Sequence, residues 1–302
     1  MTFNEKIKRE IIDWEYTKND FMVIMAFYCY NNYSLLEDPE TKQQFWEIKN
    51  YSQHQLQFFQ KYLQKYFELP TKLVVPDQPT KIYRLQIPDF HTIPFLEDLE
   101  TSCRIFSQNK MNHQAILTGI FLAHGVVLDI EKNVYHAEIG VSDWFIQQLI
   151  SKILKKLKIQ SKVFNYKNKT KIYVKRAESL SDLLKSVNAV NQMLELEDHK
   201  ILKDYLNQQQ RLNNLDVANL SKVTKAATEQ VAAIKTIIDQ RNIYKWNDEE
   251  QIIMEERLKN PYLSLHELAV FIHDKYSIAV TKSGVNYLLR KTKKWAKQNQ
   301  PN

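Results

Sequence analysis

The order of helical and extended segments occurs twice within the first 194 residues, and this repetition constrains the fold more than any single motif does. Each copy has an apolar helical segment, a strand, an amphipathic helix, two further strands and a short helix. Residues also match at corresponding places, as Trp46-Glu47-Ile48 matches Ala137-Glu138-Ile139. The pattern predicts an internal duplication within an α+β domain over residues 1–194, with copies at about 1–100 and 101–194.

Apolar periodicity gives approximate bounds for each segment. In the first copy it predicts helices over residues 21–31, 53–68 and near Pro94, and strands over 44–50, near Leu73 and over 82–87. In the second copy it predicts helices over residues 115–124, 142–157 and 180–187, and strands over 134–141, 162–166 and 171–175. The two sets follow one order, which supports the duplication.

Glycine is scarce, with four in 302 residues, so each one is a candidate for a backbone requirement. Gly119 and Gly125 both lie in the apolar stretch over residues 117–125 of the second copy. Small residues at 119 and 123 would let two helices approach closely at an interface between the copies. The alternative is a buried helix in which Gly119 and Ala123 have no such role.

Three short amphipathic patterns follow in residues 244–302, where a separate domain is predicted. The first covers about 248–258 and ends before Pro261, since proline cannot continue a helix. The second begins at Ser264-Leu265-His266-Glu267, which has the form of a capping box. The third runs over 281–297. Together they predict a helix-turn-helix whose last helix enters the major groove of DNA, although the loop over 273–280 is longer than usual.

The polar face of the last helix supplies the candidate DNA-binding residues. Its first turns carry side chains that can reach base edges, and its later turns carry cations for phosphates. The predicted base contacts are Lys282, Ser283, Asn286 and Tyr287, and the predicted phosphate contacts are Arg290, Lys291, Lys293 and Lys294. The alternative interpretation is a charged, solvated terminal helix without a nucleic-acid partner.

Charge is distributed unevenly between the two copies. Residues 1–100 carry 11 basic and 15 acidic side chains, whereas residues 101–194 carry 14 and 6. A predicted strand pair in the second copy has cations and no acid, and could make secondary phosphate contacts with DNA. These possible contacts are Lys162, Lys167, Lys169, Lys171, Lys175 and Arg176. A solvated, lysine-rich hairpin is the alternative.

A helical connector is predicted between the domains, over residues 195–243. Two helices, over 195–214 and 216–240, are expected to form a semi-rigid link because the segment has little proline or glycine.

Composition excludes several classes of protein. Cys29 and Cys103 have no CxxC or Cys/His spacing, so no zinc site or disulfide framework is expected, and no cofactor or metal. The N-terminus lacks the apolar core of a secretory signal, and the apolar runs are too short to span a membrane. A cytoplasmic protein is expected, without a membrane partner.

Several stretches together resemble the WhiA family of bacterial proteins. The resemblance lies in residues 115–125, Tyr135-His136-Ala137-Glu138-Ile139, residues 211–227 and Lys282-Ser283-Gly284-Val285-Asn286, in that order. It implies a duplicated LAGLIDADG-like αββαββα saddle, a helical connector and a helix-turn-helix. It also implies DNA binding in transcription regulation, cell division and chromosome segregation, with double-stranded DNA as partner and a location at the nucleoid.

The sequence departs from catalytic LAGLIDADG proteins at the ends of the two interface helices. Those nucleases place an acid at each end to hold divalent metal, whereas about Asn31 and His124 stand there in this chain. Retained catalysis is therefore not expected, nor a small-molecule substrate. Two alternatives remain: a metal-dependent endonuclease, or a scaffold in which the saddle binds a protein and the C-terminal module binds DNA.

Overall fold

A computed structural model describes residues 1–76, 81–128, 130, 135–166 and 169–299. The chain forms two compact units, residues 1–203 and residues 204–302.

Within its described residues, unit 1 contains eight α-helices, eight β-strands and the first turns of a long ninth α-helix. The first copy contains α1 (Phe3–Asp13), α2 (Lys18–Cys29), β1 (Ser34–Glu37), β2 (Gln44–Asn50), α3 (Gln53–Phe67), β3 (Lys72–Val74), β4 (Tyr83–Pro88), α4 (Pro94–Glu97) and α5 (Leu99–Gln108). The second contains α6 (His113–His124), β5 (Gly125–Val127), β6 (Ala137–Val141), α7 (Trp144–Lys156), β7 (Lys162–Tyr166), β8 (Lys169–Val174) and α8 (Ala177–Ser186).

Each copy builds one four-stranded antiparallel sheet, and the two sheets have the same topology. The strand orders are β1-β2-β4-β3 and β5-β6-β8-β7. Glu47 on β2 lies opposite Gln86 on β4, and Glu138 at the matching place on β6 lies opposite Tyr173 on β8. The duplicated αββαββα fold is thereby confirmed. Periodicity alone missed β1 and β5, which are short, and also α1 and α5.

The two apolar helices α2 and α6 pack against each other at the centre of unit 1. A Cβ atom on Gly119 of α6 would lie 2.4 Å from the carbonyl oxygen of Ile24 on α2. Every residue from 115 to 122 is buried, and so are Phe21 and residues 23–29. The first interpretation of Gly119 is therefore correct: the helices approach closely because position 119 has no side chain.

Helix α1 covers part of this core at the N-terminus. Its first turn is held by a capping box in which Thr2 Oγ1 accepts from the amide of Glu5, and Glu5 accepts from the amide of Thr2. Ile7 and Ile11 are fully buried on the inner face. The exposed charges of this helix, Glu5, Arg9 and Asp13, lie on its outer face.

The predicted pair of connector helices is instead one continuous helix, α9 (Val190–Asp239). The expectation of a break near residue 215 was wrong because no glycine or proline interrupts the backbone hydrogen bonds over these 50 residues. Leu196 is buried in the core of unit 1, and Ile234 and Ile237 are buried in the core of unit 2.

Unit 2 is helical, and its core is built from the end of α9 and three further helices: α10 (Asp248–Lys259), α11 (Leu265–Tyr276) and α12 (Lys282–Gln298). All three predicted helices are confirmed, including the capping box between Ser264 and Glu267. The prediction of a long loop over residues 273–280 was wrong. Helix α11 continues to Tyr276 and ends at Ser277 with a φ of 57°, so five residues, 277–281, connect it to α12.

Candidate nucleic-acid interface

One face of α12 anchors the helix in unit 2. Thr281 caps its N-terminus, with Oγ1 accepting from the amide of Gly284 at 3.2 Å. The buried stripe has helical spacing, so its side chains all meet the core of unit 2. It consists of Val285, Leu288, Leu289, Thr292 and Ala296.

The opposite face of α12 brings the four predicted base-contacting residues together at the solvent surface. Lys282, Ser283, Asn286 and Tyr287 are all exposed within the first two turns, and the Tyr287 side chain is 71% exposed. An amide, a hydroxyl, an ammonium and a phenol in this arrangement offer both donors and acceptors to base edges.

The four predicted phosphate contacts divide into two pairs. Arg290 and Lys294 are exposed. Lys291 instead lies 2.7 Å from Glu250 Oε1 on α10, and its ammonium is 4.6 Å from the centroid of the Trp246 ring. Lys293 pairs with Glu229 on α9, and its hydrogen bond holds the pKa of that carboxyl below its usual range. Lys291 and Lys293 therefore connect α12 to its own unit.

Two buried charges support the helices behind this face. Glu256 on α10 is 1% exposed, accepting from Tyr276 at 2.6 Å and Lys275 at 3.0 Å. Burial opposes its ionisation, but these hydrogen bonds outweigh that effect and lower the pKa of Glu256. The neighbouring Arg257 is equally buried and donates to Gln230 Oε1 at 2.9 Å. The sequence did not indicate that Glu256 and Arg257 are buried, because an adjacent Glu-Arg pair is typical of a solvated surface.

In the basic strand pair of the second copy, some of the cations that the sequence offers for phosphate contacts already have partners within the protein. Lys171 Nζ lies 2.5 Å from Glu138 Oε2, whose other oxygen is 2.9 Å from His136 Nε2. The hydrogen bonds from His136 and then Lys171 lower the pKa of Glu138. Lys175 lies over the ring of Tyr173, 4.9 Å from its centroid. Lys171 is thus largely neutralised by a neighbour.

The remaining candidates on this hairpin are the exposed cations at its ends. Lys162 and Lys169 lie on β7 and β8, and Arg176 follows β8. Lys167 lies outside the described residues. These positions do not form one continuous cationic row, since the middle of the pair is occupied by the Lys171–Glu138 contact.

The ends of α2 and α6 carry no carboxylate of their own. Asn31 follows α2 with a φ of 59°, and its Nδ2 donates to Asp143 Oδ2 at 3.0 Å. His124 ends α6, and its Nε2 is buried and has no hydrogen-bond partner among the described residues. Burial and then the nearby Lys8 ammonium lower the pKa of His124.

This arrangement does not fit a divalent metal. Asn31 offers only a neutral amide oxygen, which is a poorer ligand than the carboxylate that a divalent metal prefers, and a cation lies beside His124. Across the described residues, His, Cys, Asp and Glu side chains form no cluster of three or more that could hold a metal ion. Glu47 on β2 is buried, with Oε1 lying 3.3 Å from Lys49 Nζ.

No helix within the described ranges combines the length and apolar character needed to cross a bilayer.

Two family profiles match the chain, and both describe the same family. Residues 113–206 match the WhiA LAGLIDADG-like domain, and residues 210–296 match the WhiA C-terminal HTH domain. Together they cover more than half of the sequence.

Curated relatives include proteins named "Probable cell division protein WhiA". The protein of Oenococcus oeni is 32% identical over 205 residues, 67% of this chain and 64% of the relative. That of Desulfitobacterium hafniense (strain DSM 10664 / DCB-2) is 33% identical over 215 residues, which are 70% of this chain and 66% of the relative. That of Clostridium tetani is 35% identical over 185 residues, which are 61% of this chain and 57% of the relative. The matched regions thus span less than two thirds of each relative.

A solved structure has the same fold over its whole length. Full-length DUF199/WhiA from Thermotoga maritima superposes with a TM-score of 0.60 and 18% identity, covering 100% of both chains. The likeness at this identity concerns architecture only. With both profiles, the curated relatives and this fold in agreement, the chain belongs to the WhiA family.

Proposed function

We propose that this protein binds double-stranded DNA through α12 and regulates transcription, with a role in cell division and chromosome segregation. The exposed group on the outer face of α12, at residues 282, 283, 286 and 287, carries the proposal. The family's C-terminal domain type and the name of its relatives support the DNA-binding and cell-division parts. A protein of this kind acts at the nucleoid.

Within this proposal the two sets of contacts differ in role. Asn286, near the start of the helix, is placed to pair its amide with a base edge, and Lys282, Ser283 and Tyr287 flank it. Arg290 and Lys294 are placed one and two turns further along, where they would hold phosphates. We assign Lys291 and Lys293 a positioning role, because their charges are already paired with acids.

The proposal includes no DNA cleavage. The half-buried His124 beside a cation and the neutral amide of Asn31 stand where metal-dependent cleavage requires two acids. Supercoiled plasmid incubated with the full chain in magnesium or manganese should stay intact. Nicked or linear product that disappears in the His124→Ala variant would support an endonuclease instead.

The experiment that tests regulation maps bound sites across the genome and compares transcript levels in the presence and absence of the protein. We expect a shared sequence motif at the bound sites and altered transcription of the adjacent genes. Bound sites without any shared motif, together with capture of a protein partner by residues 1–203, would favour the scaffold alternative.

A further inference from the structure

Unit 1 contains a cavity of about 780 Å³ that the DNA-binding proposal does not use. Helix α1, the turn between β2 and α3, and the end of α6 enclose it. A volume of this size is within the range of small-molecule sites in proteins. Its lining combines apolar and aromatic side chains with polar and basic ones, which indicates the chemistry of an occupant.

The first turn of α3 contributes unsatisfied backbone donors to the cavity. Ser52, at the N-cap, makes no side-chain capping bond, and the first turn contains no acid. In the described part of the chain, no acceptor is found for the amides of Gln53, His54 and Gln55, all of which line the cavity. Free amides at the start of a 15-residue helix favour an anion.

The same cavity is lined by the cationic side chains of Lys8, Arg9 and Lys49 and by one carboxylate, that of Glu5. Lys8 is the most buried of the three, its Nζ donates to the carbonyl of Leu122 at 3.1 Å, and burial lowers its pKa to about 8. No ion pair of Lys8 occurs among the described residues, whereas Arg9 and Lys49 have acidic neighbours. The carboxylate of Glu5 is occupied by the Thr2 amide. The lining therefore has an excess of positive charge.

A hydrogen-bond network fixes the turn that carries these donors. Asn50 Nδ2 donates to Tyr28 Oη at 2.7 Å and to Gln55 Oε1 at 3.0 Å, while Asn50 Oδ1 accepts from the amide of Ser52 at 2.7 Å. Tyr28 is fully buried in α2. The amides at the start of α3 are thus held in place before any ligand arrives, which reduces the cost of binding.

We propose that this cavity binds a phosphate-bearing small molecule of nucleotide size. The phosphate would lie between Lys8 and the first turn of α3. Tyr51, which is 77% exposed, and Tyr83 line the cavity and offer aromatic faces for a base. The molecule would be a regulatory ligand, bound independently of the DNA surface on α12.

Calorimetric titration of the full chain with ADP, adenosine and inorganic phosphate tests this proposal. We expect ADP to bind more tightly than phosphate or adenosine, because it engages both the cations and the aromatic faces. Lys8→Gln should weaken ADP binding by about tenfold, the effect of losing one charge-assisted hydrogen bond. Lys155→Gln, an exposed lysine of α7 outside the lining, should change it by less than about twofold.

A second variant separates lost binding from lost folding. Gln53→Glu adds an acid to the first turn of α3, which favours the helix but repels an anion at its N-terminus. We expect unchanged or higher thermal stability and ADP binding weakened by about tenfold. Absence of ADP binding at millimolar concentration, or binding that survives both Lys8→Gln and Gln53→Glu, would overturn the proposal.

The DNA backbone is another source of phosphate, and the same variants distinguish it. Lys8→Gln and Gln53→Glu should leave the affinity for duplex DNA within about twofold of the unaltered chain, because α12 belongs to unit 2. Equal losses of ADP and duplex binding would assign the cavity to DNA and overturn the small-molecule assignment. Loss of duplex binding in α12 variants alone concerns the proposed function and leaves this cavity unaffected.

Discussion

At the scale of residues, the surface of α12 separates side chains that are free to meet DNA from side chains already engaged within the protein. Spacing along the sequence correctly placed Asn286 and Arg290 on the outer face, because a helix fixes which residues share a side. It could not show that Lys291 meets Glu250, since that contact joins residues 41 apart in the chain. Charge type is readable from sequence, but charge pairing depends on tertiary structure.

Replacing Asn286 by alanine should reduce sequence preference. An amide that pairs with a base edge contributes discrimination of roughly 1–3 kcal/mol, so we expect about tenfold weaker binding to a preferred site and little change on random DNA. Gel-shift titrations with both duplexes measure this, and Gln298→Ala, at the far end of the same helix, is the control. Equal losses on the two duplexes would remove Asn286 as a base contact.

Replacing Lys294 by glutamine should weaken binding to every duplex. Each phosphate contact releases about one counterion, so the slope of log affinity against log salt should fall by roughly 1. Lys291→Gln is the matched control, because its charge is paired with Glu250 and its loss should leave the slope unchanged. If the slope falls for Lys291→Gln and not for Lys294→Gln, the assignment of the two lysines is reversed.

At the scale of elements, each unit contains a helix contact that depends on one buried residue. The α2–α6 contact depends on Gly119, and the α10–α11 contact depends on the buried Glu256. The scarcity of glycine indicated the first, but the sequence left open the alternative of a buried helix in which Gly119 has no such role. The second was not predictable, because nothing in the local sequence distinguishes a buried glutamate from an exposed one.

Gly119→Ala should destabilise unit 1. The added Cβ would lie 2.4 Å from the carbonyl oxygen of Ile24, so the helices must separate, and the cost of overpacking exceeds the gain in helix propensity. We expect the free energy of unfolding to fall by about 2 kcal/mol in urea denaturation. Gly284→Ala is the control, since its Cβ would meet Thr281 Oγ1 at an ordinary 3.5 Å. Equal stability of both variants would contradict the close contact.

Glu256→Gln should make the stability of unit 2 less sensitive to acid. The folded-state pKa of Glu256 lies below its value in the unfolded chain, so its ionised form contributes stability above about pH 4.5 and loses it as the pH falls through the folded value. Denaturation followed by helical circular dichroism between about pH 3 and 7 should show a shallower decline for the variant. An identical decline would show that other carboxyls control the acid response.

At the scale of the whole molecule, the order of the domains was predictable from the sequence, but the point where one core ends and the next begins was not. The amphipathic patterns placed the C-terminal domain at 244–302, because they begin there. The core of unit 2 also uses Ile234 and Ile237, which belong to α9. A helix that continues without a break conceals such sharing, since its periodicity is the same on both sides of a boundary.

A fragment over residues 244–299 should therefore be less stable than a fragment over residues 226–299. The shorter one lacks Ile234, Ile237 and the partner of Arg257, and it exposes the apolar side chains that they cover. Losing two buried isoleucines costs roughly 3–6 kcal/mol of burial, which is a large part of the stability of a small domain. Thermal melts compare the two, and matching midpoints would mean that the end of α9 is dispensable.

The contact at Gly119 also bears on how a protein of this kind could have arisen. A chain with a single copy would expose to water a helix as apolar as α6, in which eight successive residues are sequestered. Such a half-length ancestor would persist only as a pair of identical molecules, each shielding the other. Fusion of two genes would then have joined partners that were already obligate, and a side chain at position 119 would have kept them apart.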